Sequence, residues 1–255
     1  MPKIVSVHSF RGGTGKSNIT ANVATLVARQ GKRVGVIDTD IQSPGIHVLF
    51  GLDEGKVDRC LNDYLWGKCA VEEAAYEVGA ALKTEEGEAA VLGGGIYLIP
   101  SSLKAGEIAR VLREGYDVGL LNDGFRELTE RLSLDFLFID THPGLNEETL
   151  LSIAISDVLV ILLRPDQQDY QGTGVTVDVA RKLDVPRMYL AINKVLSSFA
   201  ADEVKQKVED TYGCEVAAVL PLSEDVVRLA SSDIFCLRHP DHPFTQGLIA
   251  IADRL

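Results

Sequence analysis

Cysteine, long apolar runs and positive charge are all scarce in this sequence. Four cysteines occur in 255 residues, Cys60, Cys69, Cys214 and Cys236, and no two form a C-x-x-C pair. Zinc or iron–sulfur ligation therefore has no support in the spacing, and a chain of this size needs no disulfide framework. The longest apolar runs, such as Ser156 to Leu163, are strand-sized, whereas a membrane-spanning helix takes roughly 20 apolar residues. Lys and Arg number 25 against 37 Asp and Glu, a net charge of −12. That balance argues against a general polyanion binder. From Asp178 onward nine basic residues face twelve acidic ones, so no basic cluster for nucleic acid stands out there. The opening apolar run is broken at His8, Ser9, Phe10 and Arg11, too soon for a signal peptide. A reduced, cytoplasmic protein is the expectation. No repeat, low-complexity tract or Pro/Gly/Ser linker divides the chain, so residues 1–255 are expected to form one domain.

Hydrophobic residues make up 46 % of the chain and charged residues 24 %, the balance of a folded globular protein. Apolar, β-rich runs fall at Lys3 to His8, Arg33 to Ile37, Asp135 to Ile139, Asp157 to Leu163, Arg187 to Ile192 and Glu215 to Leu220. Helical periodicity fills intervals between them, at Ser17 to Gln30, Glu147 to Ile155, Gly172 to Leu183 and Ala201 to Tyr212. Near-continuous apolar strands alternating with helices predict an α/β fold: a single three-layer domain with a mostly parallel central sheet and helices on both faces. Residues 54–100 are the least legible stretch, and Lys83 to Gly95 reads as a solvated hairpin or loop. Trp66 with Leu61 and Leu65 reads as helix packing, His8 as a satisfied core histidine, and the His239 to Pro243 cluster as a turn rather than a metal site. Phe244, Leu248, Ile251 and Leu255 form one apolar stripe at helical spacing, and the polar face offers only Arg254. That pattern suits a core helix, not a lipid-binding one.

The chemistry is expected at strand ends. The first strand runs into Arg11-Gly12-Gly13-Thr14-Gly15-Lys16-Ser17 and a helix begins there. Glycines let backbone N–H groups turn toward an anion, and a helix N-terminus adds about half a positive charge. In such a loop Lys16 reaches the β/γ-phosphates and the Ser17 hydroxyl ligates Mg²⁺. Position 10, glycine in the standard G-x-x-x-x-G-K-[ST] pattern, is Phe10, so that match is partial. Asp140 ends a strand beside the loop and can hold the Mg²⁺ water shell. Asp38 and Asp40 lie two apart on an extended segment and point the same way. At the base-reading end a guanine reader would carry N-K-x-D, but the run here is Asn193-Lys194-Val195-Leu196, with Leu196 where the Asp is needed. Adenine is therefore expected. Asn193 is left as either an adenine contact or a strand cap. His142 has two open readings, a place near the γ-phosphate or a role in a tight turn.

The Arg11 to Ser17 loop resembles K-G-G-x-G-K-[ST], the deviant Walker A loop of the MinD/ParA ATPases, with Arg11 in place of the first lysine. Val36-Ile37-Asp38-Thr39-Asp40-Ile41-Gln42 resembles that family's h-h-D-x-D-x-Q segment. Leu137 to Gly144 resembles its Walker B run, and Arg164-Pro165-Asp166, Asn193-Lys194 and Pro221 follow in family order. The resemblance implies a P-loop NTPase fold, with ATP and Mg²⁺ as cofactors and hydrolysis of ATP to ADP and phosphate. It implies a nucleotide set of Gly12, Gly13, Thr14, Gly15, Lys16, Ser17, Asn18, Asn193 and Pro221. Ser17, Asp38 and Asp140 are implied around the metal, with Asp40 orienting the attacking water and Lys16 and Asp38 supporting catalysis. The family's first loop lysine touches the partner subunit's nucleotide. Arg11 is therefore either an arginine finger in trans or a group left facing solvent or a carboxylate. The implied function is an ATP-dependent homodimer switch that positions or partitions a cargo through an adaptor or activator protein, without direct membrane binding. The alternatives are a regulatory adaptor that binds ATP with little turnover and a metal-centre maturation or reductase-like relative. The latter lacks paired cysteines here.

Overall fold

The computed structural model describes residues 2–255. Eight strands form one sheet: β1 (Lys3–His8), β2 (Val34–Asp38), β3 (Tyr76–Glu77), β4 (Ile96–Ile99), β5 (Phe136–Asp140), β6 (Val158–Leu163), β7 (Met188–Val195) and β8 (Val216–Pro221). Their order is β3-β4-β2-β5-β1-β6-β7-β8. Every pairing is parallel except β3 with β4. The helices are α1 (Lys16–Arg29), α2 (Ile46–Leu49), α3 (Leu61–Leu65), α4 (Ala105–Glu114), α5 (Val118–Arg131), α6 (Glu147–Ala154), α7 (Gln167–Lys182), α8 (Ala201–Tyr212), α9 (Glu224–Leu229), α10 (Phe235–Arg238) and α11 (Pro243–Ala252).

The sheet is covered on both faces, as apolar strands require. Along β5, Phe136 and Phe138 pack with Ile19 of α1 and Leu248 of α11. Leu137 and Ile139 point the other way, into Leu121, Phe125 and Leu128 of α5, following the two-residue period of a strand. Beside them Leu159, Ile161 and Leu163 of β6 pack against Val177 of α7 and Val208 of α8. The three-layer α/β architecture expected from the strand–helix alternation is the one observed.

The C-terminal stripe is buried as read: Phe244, Leu248, Ile251 and Leu255 are 3, 0, 1 and 8 % exposed. No helix among the described residues is long and apolar enough to cross a membrane. Trp66, the C-cap of α3, packs half-buried against the cluster that holds Leu61 and Leu65, as read, and the cations of Lys68 and Arg110 stand over its ring at 4.7 and 4.4 Å. His242 caps α11, its side chain accepting from Phe244 N, so that cluster is a turn.

Three expectations need correction. Helix α7 begins at Gln167, not Gly172, because Asp166 accepts from Gln168 N and Asp169 N and caps it there. His8 is buried but only half satisfied: Nδ1 lies 2.8 Å from Thr141 Oγ1, and Nε2 has no partner. Lys83 to Gly95 is a solvated hairpin, as read, at its tip but not at its last residues. Lys83 and Ala89 form an isolated antiparallel bridge, but Gly94 lies so close to Lys32 that a Cβ there would sit 1.9 Å from its carbonyl oxygen. That close approach positions Gly95 O to accept from Val34 N at 2.8 Å, which starts the β2–β4 ladder.

Candidate nucleotide site

The functional groups gather where β2, β5, β1 and β7 end. Gly15 caps α1 in the left-handed conformation, with φ of 96°. It is also squeezed, since a Cβ there would lie 2.7 Å from Asn193 Nδ2. Glycine is therefore required at this position on both conformational and steric grounds. Two residues at the end of β7 fasten the loop: Asn193 Nδ2 donates to Thr14 O at 2.8 Å and Lys194 Nζ donates to Gly13 O at 2.8 Å. Lys194 N donates to Asn193 Oδ1 at 2.8 Å, so both ends of this amide are engaged.

Phe10 and Arg11 dock the other arm of the loop on α7. Gly172 leaves the space that the Phe10 ring fills, for a Cβ at 172 would lie 2.1 Å from that ring. Arg11 Nη1 donates to Gln168 Oε1, and Arg11 Nε stands 4.0 Å from Asp169 Oδ1. Asp169 is buried and gripped by Arg164, whose Nε and Nη2 donate at 2.9 and 3.1 Å. Arg11 thus faces a carboxylate that already has a bidentate partner, and its own side chain is 42 % exposed.

Asp38 and Asp140 are register partners on adjacent strands, both fully buried or nearly so. Asp38 Oδ1 accepts from Asp40 N at 3.0 Å and Oδ2 from Gly45 N at 3.2 Å. Burial raises the Asp38 carboxyl well above its ordinary range, and the Asp140 and Asp40 charges push the same way. Burial also raises Asp140, to about 6, against the lowering effects of the Ser17 hydroxyl, the Lys16 ammonium and Thr20. Two crowded, dehydrated carboxylates beside a serine hydroxyl are an all-oxygen donor set suited to a hard divalent cation. Thr14 Oγ1, buried in the loop, has no partner.

Asp40 is less buried, its side chain 16 % exposed. Its Oδ1 lies 2.7 Å from His142 Nδ1 and accepts from Ser43 N at 3.2 Å. That contact raises the His142 pKa from its ordinary value, against the opposing effect of burial.

A cleft with about 710 Å³ of empty space opens beside the loop, lined by Gly15, Asn18, Asn193, Lys194, Pro221 and Phe244 among others. The structure therefore brings Asn18, Asn193 and Pro221 together, as the sequence reading expected. Lys194 and Phe244 were not anticipated as lining. Lys194 has a local signal, its neighbour Asn193, whereas Phe244 arrives from the last helix and has none.

A mostly parallel sheet, a glycine loop opening α1 and carboxylates at the neighbouring strand ends define a P-loop nucleotide-binding protein. More narrowly, the chain belongs to the family described as the CobQ/CobB/MinD/ParA nucleotide binding domain, whose model matches residues 5–234. It is 27 % identical over 252 residues to a protein of Methanocaldococcus jannaschii described as an uncharacterised ATP-binding protein, covering 98 % of this chain and 86 % of that one. It is 26 % identical over 234 residues to an iron–sulfur cluster carrier protein of Pseudomonas fragi, covering 88 % and 74 %. The fold matches that of the septum site-determining protein MinD of Pyrococcus horikoshii, solved with Mg-ADP, at a TM-score of 0.81 and 20 % identity, covering 100 % and 96 %.

Proposed function

We propose that residues 1–255 act as one MinD/ParA-type ATPase unit, an ATP-dependent dimerisation switch whose slow hydrolysis is stimulated by an adaptor or activator protein. The observation that carries this reading is the convergence of the Arg11–Ser17 loop, Asp38, Asp140 and Asp40 at three neighbouring strand ends, those of β1, β2 and β5. Phosphoryl transfer asks mainly for positioning and charge neutralisation. The backbone of Gly12 to Gly15 and the α1 N-terminus bind the phosphates, and Lys16 spans the β- and γ-phosphates. Ser17 and Asp140, with Asp38 behind them, would hold Mg²⁺, which would supply charge neutralisation for the phosphates. Asp40 orients the attacking water. Asn18, Asn193 and Pro221 line the base cleft, and Leu196 offers no acceptor for guanine, so ATP is preferred over GTP.

Arg11 serves as a finger toward a second copy's nucleotide once it leaves Gln168 and Asp169. Arg11→Ala then weakens the ATP dimer and lowers partner-stimulated turnover while ATP binding by the monomer persists. The burial of the C-terminal stripe supports membrane association only through a partner. The four free cysteines, three of them buried, give no support to a cluster-carrying role.

Size-exclusion chromatography with light scattering, run with ADP and with ATP, tests the switch. A dimer with ATP and a monomer with ADP are expected, and one mass in both nucleotides overturns it.

A further inference from the structure

We propose that His142 is the positioning residue for Asp40, fixing which carboxylate oxygen faces the attacking water through the 2.7 Å contact between His142 Nδ1 and Asp40 Oδ1. The proposal rests on the ATPase reading above and deepens it.

A carboxylate's terminal torsion is broad and roughly two-fold, so an aspartate needs fixed donors to present one defined oxygen. Asp40 has two, and both act on Oδ1: His142 Nδ1 at 2.7 Å and Ser43 N at 3.2 Å. No described residue donates to Oδ2. One oxygen is therefore anchored and the other is left to face a water. The Ser43 amide belongs to the same turn as Asp40, since it also donates to Asp40 O at 3.1 Å, and it moves with that turn. His142 comes from a different strand end, and only it ties the carboxylate to the rest of the site.

The segment that carries His142 is itself held. Thr141 Oγ1 donates to Val7 O at 3.0 Å and Gly144 N donates to Ser9 O at 3.1 Å. On its other flank Thr39 N donates to Asp140 O at 3.0 Å. The imidazole thus stands between the phosphate loop's strand and the Asp38–Asp40 segment, in a frame fixed on both sides. A ring N–H donates to an ionised carboxylate whether the ring is neutral or charged, so the contact does not depend on titration. Of the two readings the sequence left open for His142, the geometry selects neither a direct phosphate contact nor a turn alone.

The test is steady-state ATP hydrolysis by the full chain, with ADP affinity and thermal melting as controls. His142→Ala lowers kcat about 10-fold to 100-fold, the scale of a misplaced reacting group, with KM for ATP, ADP affinity and melting temperature near wild type. His142→Asn, whose amide nitrogen stands close to the position of Nδ1, recovers most of kcat. The double variant Asp40→Ala with His142→Ala is no slower than Asp40→Ala alone, as for two groups acting as a unit. Wild-type kcat in His142→Ala, alongside a slow Asp40→Ala, overturns the role of His142 and leaves the ATPase reading standing. So does an additive double variant, or a His142→Ala chain whose loss lies in KM and ADP affinity. A wild-type chain without Mg²⁺-dependent turnover overturns both.

Discussion

The central strands β5, β1 and β6 and the β4–β3 edge of the same sheet end in different ways. β5 and β6 are buried along their whole length and β1 from Val5 onward, and their apolar runs stop in polar groups: Asp140 as the last residue of β5, and His8 as the last of β1, leading to the glycine loop. The edge strands are short, and β4 ends in Ile99-Pro100-Ser101-Ser102, whose polar groups serve the fold. Ser101 Oγ donates to Asp38 O at 2.7 Å, and Ser102 N donates to Asn62 Oδ1 at 2.8 Å. A strand clamped by neighbours on both sides holds its last residue in a fixed place, which catalysis needs. At the edge β3 has a neighbour on one side only and pairs with β4 over just two residues, and the polar residues that follow β4 go to closing the sheet. The comparison predicts that central substitutions cost stability or chemistry and edge-loop substitutions cost little of either.

The largest expected effect tests the packing half of that comparison. Phe138 is 0 % exposed at the middle of β5, and Phe138→Ala should cost about 3–5 kcal/mol. Val91, in the edge segment, is 87 % exposed, and Val91→Ala should stay within about 0.5 kcal/mol. Chemical denaturation of both variants measures this, and equal costs would break the contrast.

The chemical half is tested next. Asp40→Ala should slow hydrolysis by about 100-fold or more, the lower range for a positioned proton-handling group, while ATP binding holds and an ATP-bound dimer accumulates. Single-turnover kinetics with calorimetry separates the two quantities, and turnover at the wild-type rate would remove Asp40 from the water. Lys16→Ala should weaken ATP by about 1.5–3 kcal/mol, the scale of a hydrogen bond to a charged group. Calorimetry reads this directly, and unchanged affinity would separate Lys16 from the phosphates.

The same contrast decides what could be read from the sequence. The central strands announce themselves because burial on both faces demands unbroken apolar runs, and the loop announces itself because an anion cradle needs glycines at set positions. The edge is written in contacts across the chain. Tyr76 and Glu77 pair with β4 over two residues, too few for any period to show. Gly93 to Gly95 look like a flexible tract, but Gly94 is small because Lys32 passes beside it. Helix α5 was legible in principle, with Leu121, Phe125 and Leu128 on one face and Asp117 as its cap. In the site, the roles of Phe10 and Arg11 depend on Gly172 and Gln168, more than 150 residues away in the chain, and no local pattern carries that. His142 likewise meets Asp40 only because β2 and β5 are neighbours.

The smallest expected effect concerns His8, a central strand end that carries a titratable group without a place in the chemistry. Thr141 Oγ1 donates to Val7 O, so the His8 ring donates to Thr141 through Nδ1–H and leaves Nε2 as a buried acceptor without a donor. Burial, with the Lys16 and His142 charges, lowers its pKa to about 3, while in the unfolded chain it titrates near ~6.5. As pH falls through that window the unfolded chain takes up a proton that the folded chain refuses, so His8 contributes a loss of stability toward acid. Asp38 and Asp140, held above their ordinary range, act with the opposite sign in the same window, so the wild-type curve alone does not isolate His8. His8→Asn retains an N–H for Thr141 and removes the titration. Its unfolding free energy should fall less than wild type's between pH 6.5 and 4 in parallel denaturation series. Parallel curves for the two proteins would show that His8 is protonated in the folded state.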